Sequence, residues 1–393
     1  AWDALNDLGE KVDRVLEFED IRLTMGGEPT FVSIDDFEAE EWNTGAVGPT
    51  KRALADKLIR RLRQRFAPGG FLHYGQGKWY PGETLPRWTF SLYWRRDGKP
   101  IWQNPDLIAD EGDKTGASEK EAEALLKSIA EELDVQPDYV VPAYEDPAEW
   151  LVKESNLPVN VTPENSKLED AEARHRIARV FDRGLTHPSG YVLPIQRWQA
   201  KSAGAGWRSE RWKLRRDALF LVPGDSPVGS RLPLEALPHV PPARYPYINT
   251  ADPTEPRNPL PDFPAGPRPE REQAVAQFTA AEAVQNRTEQ SLSEDADKDA
   301  VRTAMSVEPR DGRLCVFMPP VERIEDYLEL VSAAEASAAK LGLKVHIEGY
   351  APPTDPRMNV IRVAPDPGVI EVNIHPASTW KECVATTETI YEE

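Results

Sequence analysis

The sequence predicts an α+β fold in which helices flank strands, and three observations carry that prediction. Segments with apolar residues three and four apart, the helical period, fall at 1–17, 48–66, 118–133 and 321–341. Segments that alternate apolar and polar residues, the strand period, fall at 88–94, 343–350 and 369–375. Turn signals punctuate them. Asp97-Gly98 reads as a hairpin turn, and Pro365, Pro367 and Gly368 form the turn that opens the last strand.

At 393 residues the chain is long enough for a large core and for two or more lobes. A formal charge of -19 at pH 7 argues against a nucleic-acid coat, since neutralising phosphates takes a basic surface. The charge is uneven: acids crowd 106–146 and 289–299, whereas 51–65, 174–183 and 208–216 are arginine-rich, a distribution suited to a site for anionic substrates. No apolar run approaches the roughly 20 residues that span a bilayer, and no signal-peptide pattern opens the chain, so it reads as soluble and cytoplasmic. A start at Ala1 without an initiator Met and a helix-like end at ETIYEE read as a piece of a longer product. Two cysteines exclude a disulfide scaffold, and Cys315 and Cys383 read as small core residues rather than nucleophiles.

Taken in order, 1–17 reads as a short amphipathic helix through Leu5, Leu8, Val12 and Leu16. The run FEDIRLTMGGEPTFVSIDD is a strand broken at Gly26 and Gly27, a bulge or a close approach to a ligand, and Glu28 follows the break. Gly48 and Pro49 open a helix to Phe66, with Leu54, Leu58, Leu62 and Phe66 on one face and a solvated basic face elsewhere. The Gly- and Pro-pinned loop GGFLHYGQGKWYPGETLPRW carries aromatic and charged residues, including Lys78 and Arg87 as contacts for phosphate or carboxylate, or as partners of nearby acids. It lacks the Walker spacing. RWTFSLYW is a strand, with Asp97-Gly98 turning back to KPIWQN. The helix at 118–133 sits in a peripheral acidic insert at about 106–146, a further helix falls near 167–184, and GYVLPIQRWQ, WRSERWKL and DALFLVPGDSP are three strands in a row. The sequence thus divides into an α+β portion at 1–240, a Pro-rich and acidic linker at 241–300, and a β-α-β-β portion at 301–393.

Strand geometry puts Glu371, Asn373 and His375 on one face and Ile370, Val372 and Ile374 on the other. Side chains two apart sit roughly 7 Å apart, so a carboxylate, an amide and an imidazole could converge on one hydrated cation. The alternative is an edge strand whose polar row meets water; Pro376, which stops the strand where that row ends, favours a site at a strand end. On the preceding strand Lys344, His346 and Glu348 also share a face.

The runs LTMGGEPTFVSIDD, HYGQGKWYPGETLPRW, VPGDSP with RLPLEALP, VEPRDGRLCVFMPP, EGYAPPTDPR and PDPGVIEVNIHPASTW resemble a bacterial family of uncharacterised proteins described as amidoligases, often found C-terminal to a transglutaminase-like domain. The resemblance spans most of the chain except the acidic insert and the Pro-rich linker, and corresponds to the family's N-terminal half. It implies a mainly antiparallel sheet like that of glutamine synthetase and glutamate-cysteine ligase, incomplete in this chain, whose carboxylates hold Mg around ATP. Such enzymes phosphorylate a carboxylate, and an amine then displaces the phosphate. Carried over, Glu28 and Glu371 correspond to metal ligands with Asn373 and His375 beside them, and Lys78, Arg87, Glu348 and Arg357 to nucleotide or substrate contacts. No catalytic residue is singled out. The implied function is an ATP- and Mg-dependent carboxylate-amine ligase acting on a peptide or amino-acid-like acid. Its rivals are a non-catalytic peptide- or nucleotide-binding module assisting a fused transglutaminase-like domain, and a metal-dependent amide hydrolase.

Overall fold

The computed structural model describes residues 2–83, 85–146, 187–200, 204–214, 217–239, 257–262 and 301–393. In chain order the elements are α1 (Trp2–Phe18), β1 (Thr30–Phe31), α2 (Pro49–Phe66), β2 (Phe71–Gln76), β3 (Trp88–Arg95), α3 (Glu119–Glu132), β4 (Val141–Glu145), β5 (Gly190–Pro194), β6 (Gln196–Ala200), β7 (Gly204–Arg208), β8 (Leu219–Leu221), β9 (Ala304–Arg310), β10 (Arg313–Met318), α4 (Ile324–Leu341), β11 (Val345–Gly349), β12 (Met358–Asp366), β13 (Val369–Asn373) and α5 (Trp380–Glu392). The fold is α+β with mainly antiparallel sheets. Its residues group into two compact units interleaved in sequence: Ala1–Pro105 with Asp110–Gly112 and Asp355–Glu393, and Asp106–Ala109 with Asp113–Thr354. The sequence divisions at 240 and 300 both fall within the second unit. The helix expected near 167–184, and the linker apart from residues 257–262, lie outside the described residues.

The first unit is a five-stranded sheet in the order β1-β13-β12-β3-β2, antiparallel at every junction. One side packs on α2, where Phe90, Leu92, Ile361 and Val363 meet Ala55, Ile59 and Leu62 in the core. The buried stripe of α2 runs through Lys51, Ala55, Ile59 and Leu62, so of the leucines four apart only Leu62 is fully buried, and Leu54 is exposed. Helix α1 docks on α5 through its polar side: Trp380 donates its backbone N–H to the Asp13 carboxylate and its indole N–H to Asn6 Oδ1. A Cβ on Gly9 would lie 2.2 Å from that indole, so only glycine allows the approach. The apolar stripe Leu5, Leu8, Val12 and Val15 remains exposed.

Asp97-Gly98 does turn, with Gly98 at φ +75, but residues 99–104 do not pair back on β3. Both edges of β3 are already occupied by β2 and β12, and the amides of Ile101 and Trp102 donate instead to Gly69 O. A strand the alternation at 369–375 did not reveal, β12, joins β13 by a two-residue turn, Pro367-Gly368, with Gly368 at φ +75. Proline fixes the first φ of such a turn and glycine accepts the positive second one. Lys51 holds this turn down. Fully buried, its ammonium donates to the carbonyls of Gly45, Ala46 and Asp366 at 3.0, 3.1 and 3.0 Å and lies over the Trp42 ring; burial pulls its pKa below the usual lysine value.

The second unit is a six-stranded sheet, β11-β10-β9-β5-β4-β8, with parallel pairs only at β10/β11 and β4/β8, beside a β6-β7 ribbon. Helices α3 and α4 pack together, and α3 lies against β5 and β9. Helix α3, inside the stretch read as a peripheral insert, is capped by Ser118 and Glu121 and buries Ala122, Leu125, Leu126 and Ile129 completely. Of WRSERWKL only Trp207 and Arg208 are strand; Trp212 turns into the core with its indole N–H on Val301 O, and Glu210 accepts from Val301 N.

Replacing Lys51 with methionine leaves three part-buried carbonyls without their donor. We expect a loss of about 1–3 kcal/mol in urea-induced unfolding, against no more than about 1 kcal/mol for Arg61→Ala, whose guanidinium is more than half exposed in its ion pair with Glu393. Equal effects of the two substitutions would refute the anchoring role.

Candidate functional site

The site grows from the β12-β13 hairpin. Pairing sets Glu371 opposite Ala364 and Thr30, and Asn373 opposite Arg362. Val372 N donates to Pro29 O and Ile374 N to Gly27 O, so the same register carries past β1 and sets Glu28 opposite Asn373. Directly opposed residues of antiparallel strands project from one face. Glu28, Glu371 and Asn373 therefore share the face turned away from α2.

His375 does not join them. Met25 pairs with Ala377, so from the Gly27–Ile374 bond to the next rung the chain advances two residues on one side and three on the other. The extra residue falls at His375-Pro376, where proline has no N–H to offer the ladder. The imidazole lands on the α2 side, edge-on to Trp94 at 5.2 Å, with Nε2 3.9 Å from Glu382 Oε1. Burial lowers its pKa, and its Nδ1 has no partner among the described residues. The deformation that the sequence placed at Gly26-Gly27 thus lies on the facing strand, and the shared face expected of Glu371, Asn373 and His375 ends at Asn373.

Lys78 reaches the hairpin through a second irregularity. Gly77 N donates to Arg87 O while Arg87 N donates to Lys78 O, so Gly77 and Lys78 together oppose Arg87. This one-residue bulge re-aims the side chain. Lys78 Nζ lies 3.5 Å from Glu371 Oε2, with the lysine side chain 55 % exposed and that of the glutamate 10 %. Burial raises the Glu371 pKa above the usual carboxylate value; Lys78 opposes the shift, and Asp366 and Glu28 add to it. Glu371 in turn raises the Lys78 pKa. Trp79 and Tyr80 follow with exposed rings, and the indole N–H of Trp79 is fixed on Glu83 O.

The remaining candidates take other places. Arg87 is buried and fully engaged: Nε and Nη2 donate to Glu83 Oε1 at 2.9 and 2.7 Å, Nη1 to Asp366 Oδ1 at 2.5 Å, and its guanidinium stacks 4.3 Å from the Tyr80 ring. It braces the loop to the hairpin, the ion-paired alternative left open for it. Arg357 is bound by Asp355 at the far end of β12, nine residues from Asp366 and so roughly 30 Å along the strand. Glu348 belongs to the second unit, where Arg310 Nη1 bonds both Glu348, at 3.1 Å, and Glu308, at 2.5 Å. Burial raises the Glu308 pKa, and the same surroundings push the Cys315 thiol well up, which keeps it neutral and unreactive.

Among the described residues no group of three or more His, Cys, Asp or Glu is arranged to hold a metal ion. Glu28 and Glu371 are the candidate ligands that come together. They fit magnesium, which takes one or two carboxylates and fills its other positions with water and phosphate oxygens. A carboxylate that is buried beside two like charges gains from any nearby cation.

The chain matches, over residues 1–393, a family described as "Putative amidoligase enzyme (DUF2126)". It belongs to that family. No curated protein and no solved structure matches it. Membership in the DUF2126 family supports a ligase-type function in general, and the GGEPTF and EVNIHP runs quoted for the resemblance are the two segments that pair edge to edge at Glu28 and Glu371. Sequence reasoning gave no role to Asp366, Glu83 or Arg362, all on this side of the sheet or its rim. For Arg362 the signal was available: residues 359, 361, 363 and 365 of β12 alternate with it.

A Cβ on Gly77 would lie 2.0 Å from Thr89 Oγ1 and 3.2 Å from its Cβ. Gly77→Ala is therefore expected to cost on the order of 1 kcal/mol or more in denaturant unfolding, with most of the loss recovered in the Gly77→Ala, Thr89→Ala double variant. Absence of recovery would mean that the bulge is not limited by this contact.

Proposed function

We propose that the polar face of the first unit is the nucleotide and metal side of an ATP- and Mg-dependent carboxylate-amine ligase, acting on a peptide or amino-acid-like acid, on a sheet related to that of glutamine synthetase and glutamate-cysteine ligase. The observation that carries this reading is Glu371. It is a desolvated carboxylate in the centre of a hydrogen-bonded hairpin, beside Glu28, with a single exposed lysine as its ion-pair partner, in a chain of an amidoligase family. A carboxylate placed for stability alone would be paired as Glu83 and Asp366 are, at short distance to a buried arginine.

Glu371 and Glu28 would hold the cation. When bound, metal and nucleotide supply the activation of a substrate carboxylate as its phosphate, which an amine then displaces with release of inorganic phosphate. The chain's own residues prepare that chemistry. Lys78 is long, half-exposed and held by a single contact at 3.5 Å, so it can leave Glu371 to a cation and turn its ammonium to a phosphate oxygen. Arg87, locked by Glu83 and Asp366, holds the loop so that Lys78 and the exposed rings of Trp79 and Tyr80 keep their places beside the hairpin. The rings offer flat apolar surface to a base or a peptide side chain.

Calorimetric titration of Mg-ATP tests the reading. The folded chain is expected to release heat on binding, and Glu371→Gln, a near-isosteric change, to weaken binding at least tenfold. A well-folded wild-type chain that does not bind, or a Glu371→Gln variant that binds equally, would overturn it.

A further inference from the structure

Among the described residues, one cation on the same face is left without an acid. In and around the strands of the first unit, Arg87 holds Glu83 and Asp366, Arg95 holds Asp97, Arg96 holds Asn359 and Arg357 holds Asp355. Arg362, in the middle of β12, is exposed and has no hydrogen bond or ion pair among the described residues. Acids are not scarce in a chain of net charge -19, so its isolation is a property of the place rather than of the composition.

The place is defined by register. Asn373, Arg362 and Ser91 form one row across β13, β12 and β3. Opposed side chains in such a row have Cβ atoms about 4.5–5.5 Å apart, and diagonal neighbours stand about 7–8 Å apart. Arg362 is thus beside Asn373, whose side-chain amide is also unengaged among the described residues, and diagonal to Glu371. Ala364, directly opposite Glu371 and two residues from Arg362, contributes only a methyl group between them. The Arg362 guanidinium lies over the Tyr93 ring at 5.9 Å, and the Tyr93 hydroxyl is buried with no partner among the described residues. Contact with an aromatic face steadies a guanidinium while leaving its fork of N–H donors open.

We propose that Arg362, assisted by the Asn373 amide, binds an oxyanion, either the carboxylate of an acid substrate or a nucleotide phosphate, and holds it next to Glu371. The fork matches the two oxygens of such a group in a bidentate pair. The link to Glu371 rests on the ligase reading; the anion site itself does not, because it needs no metal.

The test is calorimetry without metal, titrating L-glutamate and inorganic pyrophosphate separately, into the millimolar range, on wild type, Arg362→Gln, Arg362→Lys and an Arg96→Gln control. We expect one of the two anions to bind wild type and Arg96→Gln alike, to bind Arg362→Gln roughly tenfold or more weakly, and to bind Arg362→Lys with an intermediate loss. A response to glutamate alone assigns the site to the acid; a response to pyrophosphate alone assigns it to nucleotide phosphate. Equal binding by wild type and Arg362→Gln, or no binding of either anion by wild type, overturns the proposal. If Arg362→Gln loses the anion while Mg-ATP binding is indifferent to Glu371→Gln, the ligase reading fails and the anion site stands; the converse pattern removes Arg362 and leaves the ligase reading in place.

Discussion

Lys51 is a buried ammonium whose three hydrogen bonds all go to carbonyl oxygens, and one of them belongs to Asp366 at the head of the turn between β12 and β13. The turn is pinned from two sides. Gly368 donates its N–H to Gly45 O, and its missing Cβ is what lets Asn43 O approach, since a methyl there would stand 2.8 Å from that oxygen. Everything on the polar face depends on this anchorage. It fixes where β13 begins, hence which residues face away from α2, hence that Glu371 stands beside Glu28 and diagonal to Arg362. A slip of one residue would exchange Glu371 for Ile370 and bury charge against the apolar side.

Two irregularities then refine what the hairpin presents. The bulge at Gly77-Lys78 brings a lysine to the face, and the extra residue at His375-Pro376 takes a histidine from it. Both sit at strand ends, where ladder hydrogen bonds can be given up most cheaply. The result is an asymmetric distribution of charge. Arginines that brace the structure are buried against carboxylates at short distance, whereas Lys78 and Arg362, on the open face, are held loosely or not at all. Residues free of structural partners are the ones a ligand can engage without first breaking a bond.

Much of this was legible in the sequence and some was not, for identifiable reasons. The period-two pattern at 369–373 placed Glu371 and Asn373 on one face because one side of that strand is buried and the register is strongly set. The same pattern at Lys344, His346 and Glu348 was equally clear, yet periodicity reports a face and not its partners, and that strand belongs to a different sheet. His375 was misplaced because a bulge resets alternation by one residue, and its one local sign was Pro376. Lysine is rarely buried, so nothing in the basic stretch 51–65 marks Lys51 as a core residue; only the three facing carbonyls make it one. Strand β12 is hidden by its prolines, since Pro365 reads as part of the turn with Pro367 and Gly368, whereas it lies inside the ladder opposite Ile370. The β9-β10 hairpin carried the strong Asp-Gly signal at Asp311-Gly312, both at positive φ, and was legible but unused.

The ligase reading requires the carboxylate pair Glu28 and Glu371 to hold a cation. Crystals of the protein soaked with manganese, which replaces magnesium and is visible by anomalous diffraction, test it most directly. An anomalous peak in contact with Glu371 and Glu28 on the polar face of the first unit is expected. A peak at the Glu308 and Glu348 pair with none at Glu371, or no peak on either sheet, would contradict it.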